Sequence, residues 1–327
     1  MALDMNTLRR GLALTLDATR FDWLGSRYEG KVRDNYVTAD GRRVIVVSDR
    51  ISAFDRVIGT LPFKGQVLNQ LASYWFAQTA SLVPNHVLSI PDPTAMECVE
   101  CTPLPVEMVV RGYLTGVSST SILTAYQRGE REFCGHQLPE GLEPHRPLPQ
   151  PILTPTTKAM HGAHDENVSR EQIIESGVIT EADFDRAAAH AMALFDYGTR
   201  LCAERGLILV DTKYEFGKRP DGTIVVIDEI HTPDSSRFWF RGSYEERMAR
   251  GDVPESFDKE YVRRWLVEQG FRGDGAIPRI PDEVRLEAAR RYIGACEAVQ
   301  GKPFVPNLEA PGPRLEGNLR RVAKPKS

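Results

Sequence analysis

Hydrophobic and polar residues alternate along residues 207–239, where two runs rich in Val, Ile, Thr and Tyr flank the sequence Lys-Arg-Pro-Asp-Gly. This pattern predicts a β-hairpin with its turn at the central polar residues. Because successive side chains of a strand point to opposite faces, Asp211, Lys213 and Glu215 share one face of the first strand. That face therefore collects charge within an otherwise apolar segment.

The register of the hairpin decides which acid faces Asp211. A turn over residues 217–222 places Asp211 opposite Asp228, and a slip of one residue places Glu229 there instead. Carboxylates crowded on a half-buried sheet repel one another unless positive charge lies between them, and Lys213 alone does not balance the set. A hard cation such as Mg²⁺, held by one or two carboxylates and a substrate's phosphates, would balance it. The alternative is a solvated hairpin face with ordinary ion pairs.

Helical periodicity and capping residues predict the elements around this hairpin. Ser169 with Gln172, and Thr180 with Asp183, form N-terminal capping pairs, and Gly206 ends the second of these helices. The Pro-rich end of the chain has little to bury, so we expect it to be extended or disordered. We predict strands near 32–37, 44–47, 87–90 and 106–110, helices over 64–82, 169–177, 180–206, 257–269 and 282–300, and the irregular end from 301 onward.

The chain has 327 residues, of which 41% are hydrophobic, enough for a core in one large domain or two ordinary ones. Its net charge of −4 comes from interspersed acids and bases, which argues against nucleic acid or an anionic membrane as a partner and favours small molecules. No apolar run approaches the roughly 20 residues of a membrane span, so we expect a cytoplasmic protein. The five cysteines lack the spacing of a disulfide framework or of a paired zinc motif.

Residues 25–32, Gly-Ser-Arg-Tyr-Glu-Gly-Lys-Val, nearly match the phosphate-binding P-loop pattern. Val32 lacks the hydroxyl that would contact the metal, and a strand rather than a helix follows, which argues against a Walker-type site. What remains is Gly30 followed by Lys31 and Arg33, two cations on one strand face that could grip a polyphosphate from a hairpin. A plain basic strand edge is the alternative.

Polar loops at the ends of other predicted strands supply further candidates. Asp49, Arg50 and Ser52 lie in one such loop, and loops of this kind often hold ligands. Arg111 ends another strand, where its guanidinium could bind a phosphate through two hydrogen bonds. The turn at residues 232–237 combines hydroxyls with one arginine, which suits a ribose phosphate.

A long Pro-rich segment, residues 139–157, leads into the sequence TTKAMHGAHDE. Irregular segments of this length within a compact chain are usually functional. The cluster of His161, His164 and Asp165 could hold a metal ion, but the neighbouring Lys158 would repel it. A lysine beside a phosphate, with Asp165 in a polar network, fits this composition better.

Seven motifs in this order resemble the SAICAR synthetase family (phosphoribosylaminoimidazole-succinocarboxamide synthases) of purine biosynthesis. The resemblance implies an ATP-dependent ligase that joins L-aspartate to the carboxylate of carboxyaminoimidazole ribonucleotide (CAIR), giving SAICAR, ADP and phosphate. It also implies an α+β fold of two lobes, similar to ATP-grasp enzymes and kinases. We expect a monomer or small homo-oligomer. The motifs are GKVRDNY, SDRISAFD, KGQVLNQL, EMVVRGYLTG, TKAMHGAHDE, LILVDTKYEFG and DEIHTPDSSRFW.

Matching these motifs residue by residue implies roles and lobes for this chain. The expected division is a nucleotide-binding lobe at 1–110, a larger lobe with metal and substrate sites at 111–300, and a tail at 301–327. Family members carry a serine where this chain has Val117, so Ser118 is the candidate hydroxyl of that loop. The implied roles are: Gly30, Lys31 and Arg33 over the ATP phosphates; Glu215 and Asp228 on magnesium; Lys158, Asp211 and Lys213 in catalysis; and Asp49, Arg50, Ser52, Arg111, Ser118, His164, Asp165, Ser236 and Arg237 on the substrates.

The implied chemistry explains why cations and acids gather in these motifs. A carboxylate is a poor acyl donor, and phosphorylating it first provides a leaving group. The protein must then hold two anions in contact, the ATP γ-phosphate and the carboxylate of the ribonucleotide, which demands cations on several sides. Two alternatives stay open at this point: a small-molecule kinase that uses the same lobes, and a nucleotide-binding module without catalysis.

Overall fold

The computed structural model describes residues 3–157, 166–257 and 260–322. Among these residues, no helix is both long and apolar enough to span a membrane. The helices are α1 Met5–Gly11, α2 Lys64–Thr79, α3 Ile122–Gln127, α4 Arg170–Glu175, α5 Glu181–Glu204, α6 Arg241–Ala249, α7 Glu260–Glu268, α8 Asp282–Gln300 and α9 Pro311–Val322.

Within the described ranges, the strands form two large antiparallel sheets and two short two-stranded ladders. This mixture of packed helices and antiparallel sheets confirms the α+β class expected from the sequence. The strands are β1 Ser26–Glu29, β2 Arg33–Val37, β3 Arg42–Val47, β4 Arg50–Ala53, β5 Arg56–Thr60, β6 Val87–Asp92, β7 Ala95–Val99, β8 Thr102–Tyr113, β9 Glu132–Phe133, β10 His136–Gln137, β11 Pro147–Leu153, β12 Thr156–Thr157, β13 Glu166–Asn167, β14 Leu207–Lys218, β15 Ile224–Ile227, β16 Ser236–Phe240 and β17 Ser256–Phe257.

The first sheet has five strands in the order β1-β2-β3-β7-β6, and its central strand β3 is buried on both faces. Alternate side chains of β3 enter different clusters: Ile45 and Val47 join the main core with α2, whereas Val44 and Val46 pack with α9. Both sets are almost fully buried. The continuous apolar run of β3 therefore reflects a central strand covered by a helix on each side.

Residues Pro311–Val322 form α9, so the prediction of an extended or disordered tail was wrong for this part of it. Leu315 and Leu319, one helical turn apart, are fully buried against the first sheet. Between them and the sheet, the buried guanidinium of Arg314 donates to Asp92 from Nε at 3.0 Å and from a terminal nitrogen at 3.2 Å. Asn318 donates to the same carboxylate at 2.7 Å. A two-leucine stripe among arginines and prolines gives too weak a periodic signal to reveal this packing.

Replacing Arg314 with alanine should lower the free energy of unfolding by about 3–5 kcal/mol, because Asp92 would keep a buried charge without its main partner. Both side chains are nearly inaccessible to water. The measurement is urea unfolding followed by circular dichroism. Arg321→Ala, which removes an exposed arginine from the same helix, should change stability by less than about 0.5 kcal/mol. Equal stability of the two variants would contradict the role of the buried pair.

The second sheet has the order β13-β12-β8-β14-β16-β17, with β11 also on β8 and β15 also on β14. Its central strand β14 is the first strand of the predicted hairpin, which is confirmed. The predicted alternation holds too: Tyr214 and Phe216 are fully buried in the main core with α5, whereas Lys213 and Glu215 line a cleft on the opposite face.

The predicted register of the hairpin was wrong. Glu215 pairs with Ile227, and β15 ends there, so Asp211 lies opposite neither Asp228 nor Glu229. The turn spans 219–223, where Gly222 takes the left-handed conformation at φ 87°. Beyond β15, residues 207–212 of β14 pair with β16, whereas β8 pairs with β14 over residues 211–218, alongside β15 as well.

Candidate active site

Two cavities lie on the charged face of β14, and they share a wall. The large cleft, of about 730 Å³, lies between the first sheet and the second. The small cavity, of about 250 Å³, lies between β8, β14 and the turn before β16. Lys213 and Asp234 line both cavities. Molecules bound in the two cavities would therefore meet at these two side chains.

The turn between β1 and β2 forms one rim of the large cleft. The Gly30 amide donates to the Arg33 carbonyl at 2.8 Å, which closes the turn. The Lys31 ammonium lies 2.6 Å from Asp55, and both side chains are more than half exposed. Arg33 is largely buried, with 12% of its side chain exposed; it donates to Asp228 and lies 2.8 Å from Glu229. Burial opposes the charge of Arg33, but the two carboxylates outweigh it and raise its pKa, so this cation persists at any working pH.

Arg50 supports this rim from behind, its neighbour Asp49 fixes the chain beside it, and neither residue lines the large cleft or the small cavity. The Arg50 guanidinium donates to the carbonyls of Lys31 and Gly30 at 2.9 and 3.1 Å. Asp49 accepts from the amides of Leu16 and Gly65 at 2.6 and 2.8 Å. The geometry thus gives both residues a positioning role, which differs from the substrate contact expected of them. Of that loop, Ser52 lines the large cleft.

The acids of the large cleft lie opposite this rim. Because Glu215 pairs with Ile227, it is close to Asp228, which follows β15 in the left-handed conformation at φ 69°. Burial raises the pKa of Asp228; Arg33 opposes this shift, and the negative charges of Glu215 and Glu229 add to it. An added cation would relieve this repulsion.

These acids offer carboxylate oxygens, the donor type that a hard metal ion such as Mg²⁺ binds. No group of three or more His, Cys, Asp or Glu side chains with metal-binding geometry occurs in the part of the chain that the structure describes. A magnesium ion needs fewer protein ligands, because it is typically held by one or two carboxylates and completes its shell with phosphates and water. Glu215 and Asp228 meet that requirement in the type of their donor atoms.

Lys213 stands between the acids of β8 and β14. Its ammonium lies 2.5 Å from Glu107 and 3.5 Å from Glu215. Burial disfavours its charge, but these carboxylates prevail and raise its pKa. Lys213 is therefore a permanent cation fixed at the boundary of the two cavities.

The small cavity is built on a carboxylate between two arginines. Register pairs Asp211 with Arg111 on β8 and with Arg237 on β16, so all three side chains share one face. Arg237 contacts Asp211 at 2.9 and 3.0 Å. Arg111 lies 3.5 Å from the same carboxylate. Two guanidinium groups and one carboxylate give the cavity a net positive charge. The hydroxyl groups of Ser118 and Ser236 also line it. This arrangement suits a phosphate monoester.

One residue of the two cavities, Asp234, and two residues that contact their shared wall, Lys64 and Glu107, were not predicted from the sequence. Asp234 accepts from the fully buried ammonium of Lys64 at 2.6 Å and from the Tyr292 hydroxyl at 2.6 Å. Glu107 reaches the site only through the pairing of β8 with β14. The polar turn at 232–237 could have identified Asp234 as a site residue. The sequence around Lys64 and Glu107 contains no such local signal. The predicted site residues Lys158, His164 and Asp165 lie outside the described residues.

Comparisons with known proteins agree with this architecture. The family model described as SAICAR synthetase matches residues 26–279. A phosphoribosylaminoimidazole-succinocarboxamide synthase from Cytophaga hutchinsonii is 48% identical over 93% of this chain and 98% of its own. The solved SAICAR synthase from Saccharomyces cerevisiae, complexed with SAICAR, is 30% identical with a TM-score of 0.76, over 89% of this chain and 100% of its own.

A second solved structure, a type-2 SAICAR synthetase in complex with ADP, shares the fold at a TM-score of 0.61 and 23% identity, over 86% of this chain and all of its own. The family model covers most of the chain, and the identity to the Cytophaga relative extends along nearly both full lengths. This protein belongs to the SAICAR synthetase family, the ATP-dependent carbon–nitrogen ligases of purine biosynthesis.

Proposed function

We propose that this protein condenses L-aspartate with the carboxylate of CAIR, consuming ATP and releasing SAICAR, ADP and phosphate. The observation that carries the proposal is the shared wall of the two cavities, because Lys213 and Asp234 line both. Transfer of a phosphoryl group between two bound anions requires the donor and the acceptor to be in contact. Neighbouring cavities with a fixed cation between them meet this requirement.

In this proposal the large cleft binds ATP. The phosphates lie at the rim formed by Gly30 and Lys31, next to Arg33, and the base lies toward Cys101 and Pro103 at the other end of the cleft. Glu215 and Asp228 would hold Mg²⁺, which would neutralise charge on the phosphates. The protein's own cations, Lys213 among them, stabilise the charge that builds up between the two anions.

The small cavity binds CAIR. Arg111 and Arg237, with Ser118 and Ser236, receive its phosphate, and the imidazole lies near Asp211 and Lys213. The CAIR carboxylate attacks the γ-phosphorus of ATP, which forms an acyl phosphate and releases ADP. The amine of aspartate then attacks the acyl carbon, losing a proton, and inorganic phosphate departs.

The remaining sequence assignments belong to the same proposal. The lobe at 1–110 carries ATP, the lobe at 111–300 carries metal and CAIR, and within the segment from 301 onward α9 serves the fold. Lys158, His164 and Asp165 belong to the loop that the family resemblance places over the reacting groups.

The test is ADP release by the purified protein with ATP, Mg²⁺ and CAIR, measured with and without L-aspartate. We expect ADP release at a rate that depends on aspartate, with SAICAR formed in equal amount, and ¹⁸O from a labelled CAIR carboxylate transferred to inorganic phosphate. The kinase alternative, which membership of this family does not favour, predicts ADP release that is indifferent to aspartate. That result, or unlabelled phosphate, would overturn the proposal.

A further inference from the structure

The Pro-rich segment at residues 139–157 has no role yet in the reaction proposed above. Within it, the Arg146 amide donates to the Glu143 carbonyl at 3.2 Å and closes a turn. His145 lies in this turn and takes the left-handed conformation at φ 62°. This conformation is uncommon for residues other than glycine, and such residues cluster at active sites and ligand-binding positions.

The backbone of this turn pairs with the chain just after β8. The His145 amide donates to the Leu114 carbonyl at 2.7 Å, and the Leu114 amide donates to the Arg146 carbonyl at 2.9 Å. From α6, the Tyr244 hydroxyl donates to the His145 carbonyl at 2.7 Å. These hydrogen bonds hold the turn beside residues 115–118, here called the phosphate loop.

The imidazole of His145 contacts the first residue of the phosphate loop. Its Nδ1 lies 2.9 Å from the hydroxyl oxygen of Thr115, a residue that is only 3% exposed. The ring also lies edge-on to Trp239 of β16, with the ring centres 5.9 Å apart. Burial and the positive charge of Arg237 lower the pKa of His145, so the imidazole is neutral near pH 7. A neutral imidazole can pair with a hydroxyl without changing the charge of the small cavity.

The other end of the phosphate loop is held by α3. The Ser118 carbonyl accepts from the Ser121 amide at 3.1 Å and from the Thr124 hydroxyl at 2.9 Å. Between the two ends, Gly116 has φ 131°, where an added Cβ would lie 2.3 Å from the Cβ of Ser121. Glycine gives the middle of a loop conformational freedom, so the position of Ser118 depends on how both ends are held.

We propose that His145 is a positioning residue for the phosphate of CAIR: through Thr115 it holds the phosphate loop where Val117 and Ser118 line the small cavity. A loop that must become ordered on binding reduces affinity, whereas a loop held in advance does not. This role gives the Pro-rich segment a part in substrate binding without contact between His145 and the reacting atoms. The inference rests on the proposed function, since it concerns the phosphate of that reaction's ribonucleotide.

The test measures the KM for each substrate and the inhibition constant of ribose 5-phosphate competing with CAIR. His145→Gly removes the imidazole and accepts the left-handed backbone, and Thr115→Val removes the hydroxyl at similar volume. Each variant should raise the KM for CAIR and the inhibition constant of ribose 5-phosphate about tenfold. The kcat and the KM values for ATP and aspartate should stay within about twofold.

Two further variants separate the hydrogen bond from general support of the fold. His145→Asn should keep the constants within about threefold of the unmodified values, because asparagine also tolerates the left-handed conformation and places a hydrogen-bonding atom near the position of Nδ1. The double variant with His145→Gly and Thr115→Val should be no weaker than either single variant, because both changes remove the same hydrogen bond. Glu143→Gly, at an exposed position of the same segment, is the matched control and should change no constant.

A thermal melt of each variant accompanies the kinetics, and Thr115→Val tests the same hydrogen bond if His145→Gly fails to fold. Unchanged constants for CAIR and ribose 5-phosphate in Thr115→Val would overturn the proposal. So would equal increases in all three KM values, additive effects in the double variant, or an asparagine variant as weak as the glycine variant.

Failure of this inference can be distinguished from failure of the proposed function. Absence of aspartate-dependent ADP release in the unmodified protein would overturn the proposed function. Calorimetric titration with ribose 5-phosphate needs no turnover, so it tests the phosphate loop independently. Equal affinity for ribose 5-phosphate in the unmodified protein and in Thr115→Val would overturn the role of His145.

Discussion

Replacing Asp228 with asparagine should lower the kcat of ligation about 10²–10³-fold while the fold persists. The substitution removes one of the two carboxylates proposed to hold Mg²⁺ and leaves the shape of the side chain unchanged. Asparagine is among the few residues that accept the left-handed conformation found at this position. Arg33 keeps its second partner, Glu229, at 2.8 Å, so the cation of the rim stays in place.

The measurement is kcat at saturating ATP, CAIR and aspartate over a range of Mg²⁺ concentrations, with a thermal melt of each variant. Asp221→Asn is the matched control, because Asp221 lies in the exposed turn between β14 and β15 and caps only Thr223. We expect its kcat to equal that of the unmodified protein. Normal turnover by Asp228→Asn would remove the metal assignment.

Replacing Lys213 with methionine should reduce kcat about 10²–10³-fold, because it removes a preorganised cation between the two reacting anions. Methionine preserves much of the length and apolar volume of the stem. Its uncharged end leaves Glu107 and Glu215 facing each other without a cation, so the reacting site becomes more negative. Both effects disfavour contact between the γ-phosphate and the CAIR carboxylate.

Rapid-quench measurement of ADP formation separates this chemical step from product release. Lys218→Met provides the control on the same strand, since Lys218 pairs with Asp183 and lines neither cavity. Its kinetic constants should stay within about twofold of the unmodified values. A Lys213→Met variant that forms ADP at the normal rate would show that the boundary cation does not act in phosphoryl transfer.

Local patterns were sufficient to predict β14 and the face that its charges share. Alternation of side chains along residues 211–216 is a property of the strand itself, so it does not depend on which strands pair with β14. The partners depend on distant chain segments. Asp211 is balanced by Arg111 and Arg237, which lie 100 and 26 residues away in the chain, and no local pattern encodes either pairing.

A small error in the predicted position of the hairpin turn changed the predicted pairing of the whole strand. When the turn is taken to start at Gly217, every residue of β14 is given the wrong partner, because a shift in register changes all opposing pairs. In the structure Gly217 continues β14, where a side chain would collide with Cys101. This glycine serves close packing and not the turn, a distinction that its sequence context does not reveal.

Buried charges were the least predictable part of the molecule. Lys64 is fully buried between Asp234 and the ring of Tyr292. Lysine is almost never fully buried without a partner, so this burial depends on Asp234. Its partner follows 170 residues later, and the sequence around Lys64 reads as an ordinary helix start. Arg314 and Asp92 are a second case of the same kind. In both, long-range pairing decides burial.

The common wall of the large cleft and the small cavity has a consequence for inhibitor chemistry. Since Lys213 and Asp234 face both spaces, one compound could join an adenine nucleotide to a sugar phosphate through a short anionic bridge above the lysine. Tethering makes the second half bind as if present at millimolar concentration or higher, provided that the linker spans the gap without strain. Such a bisubstrate molecule would exploit a junction that neither ATP nor CAIR fills alone.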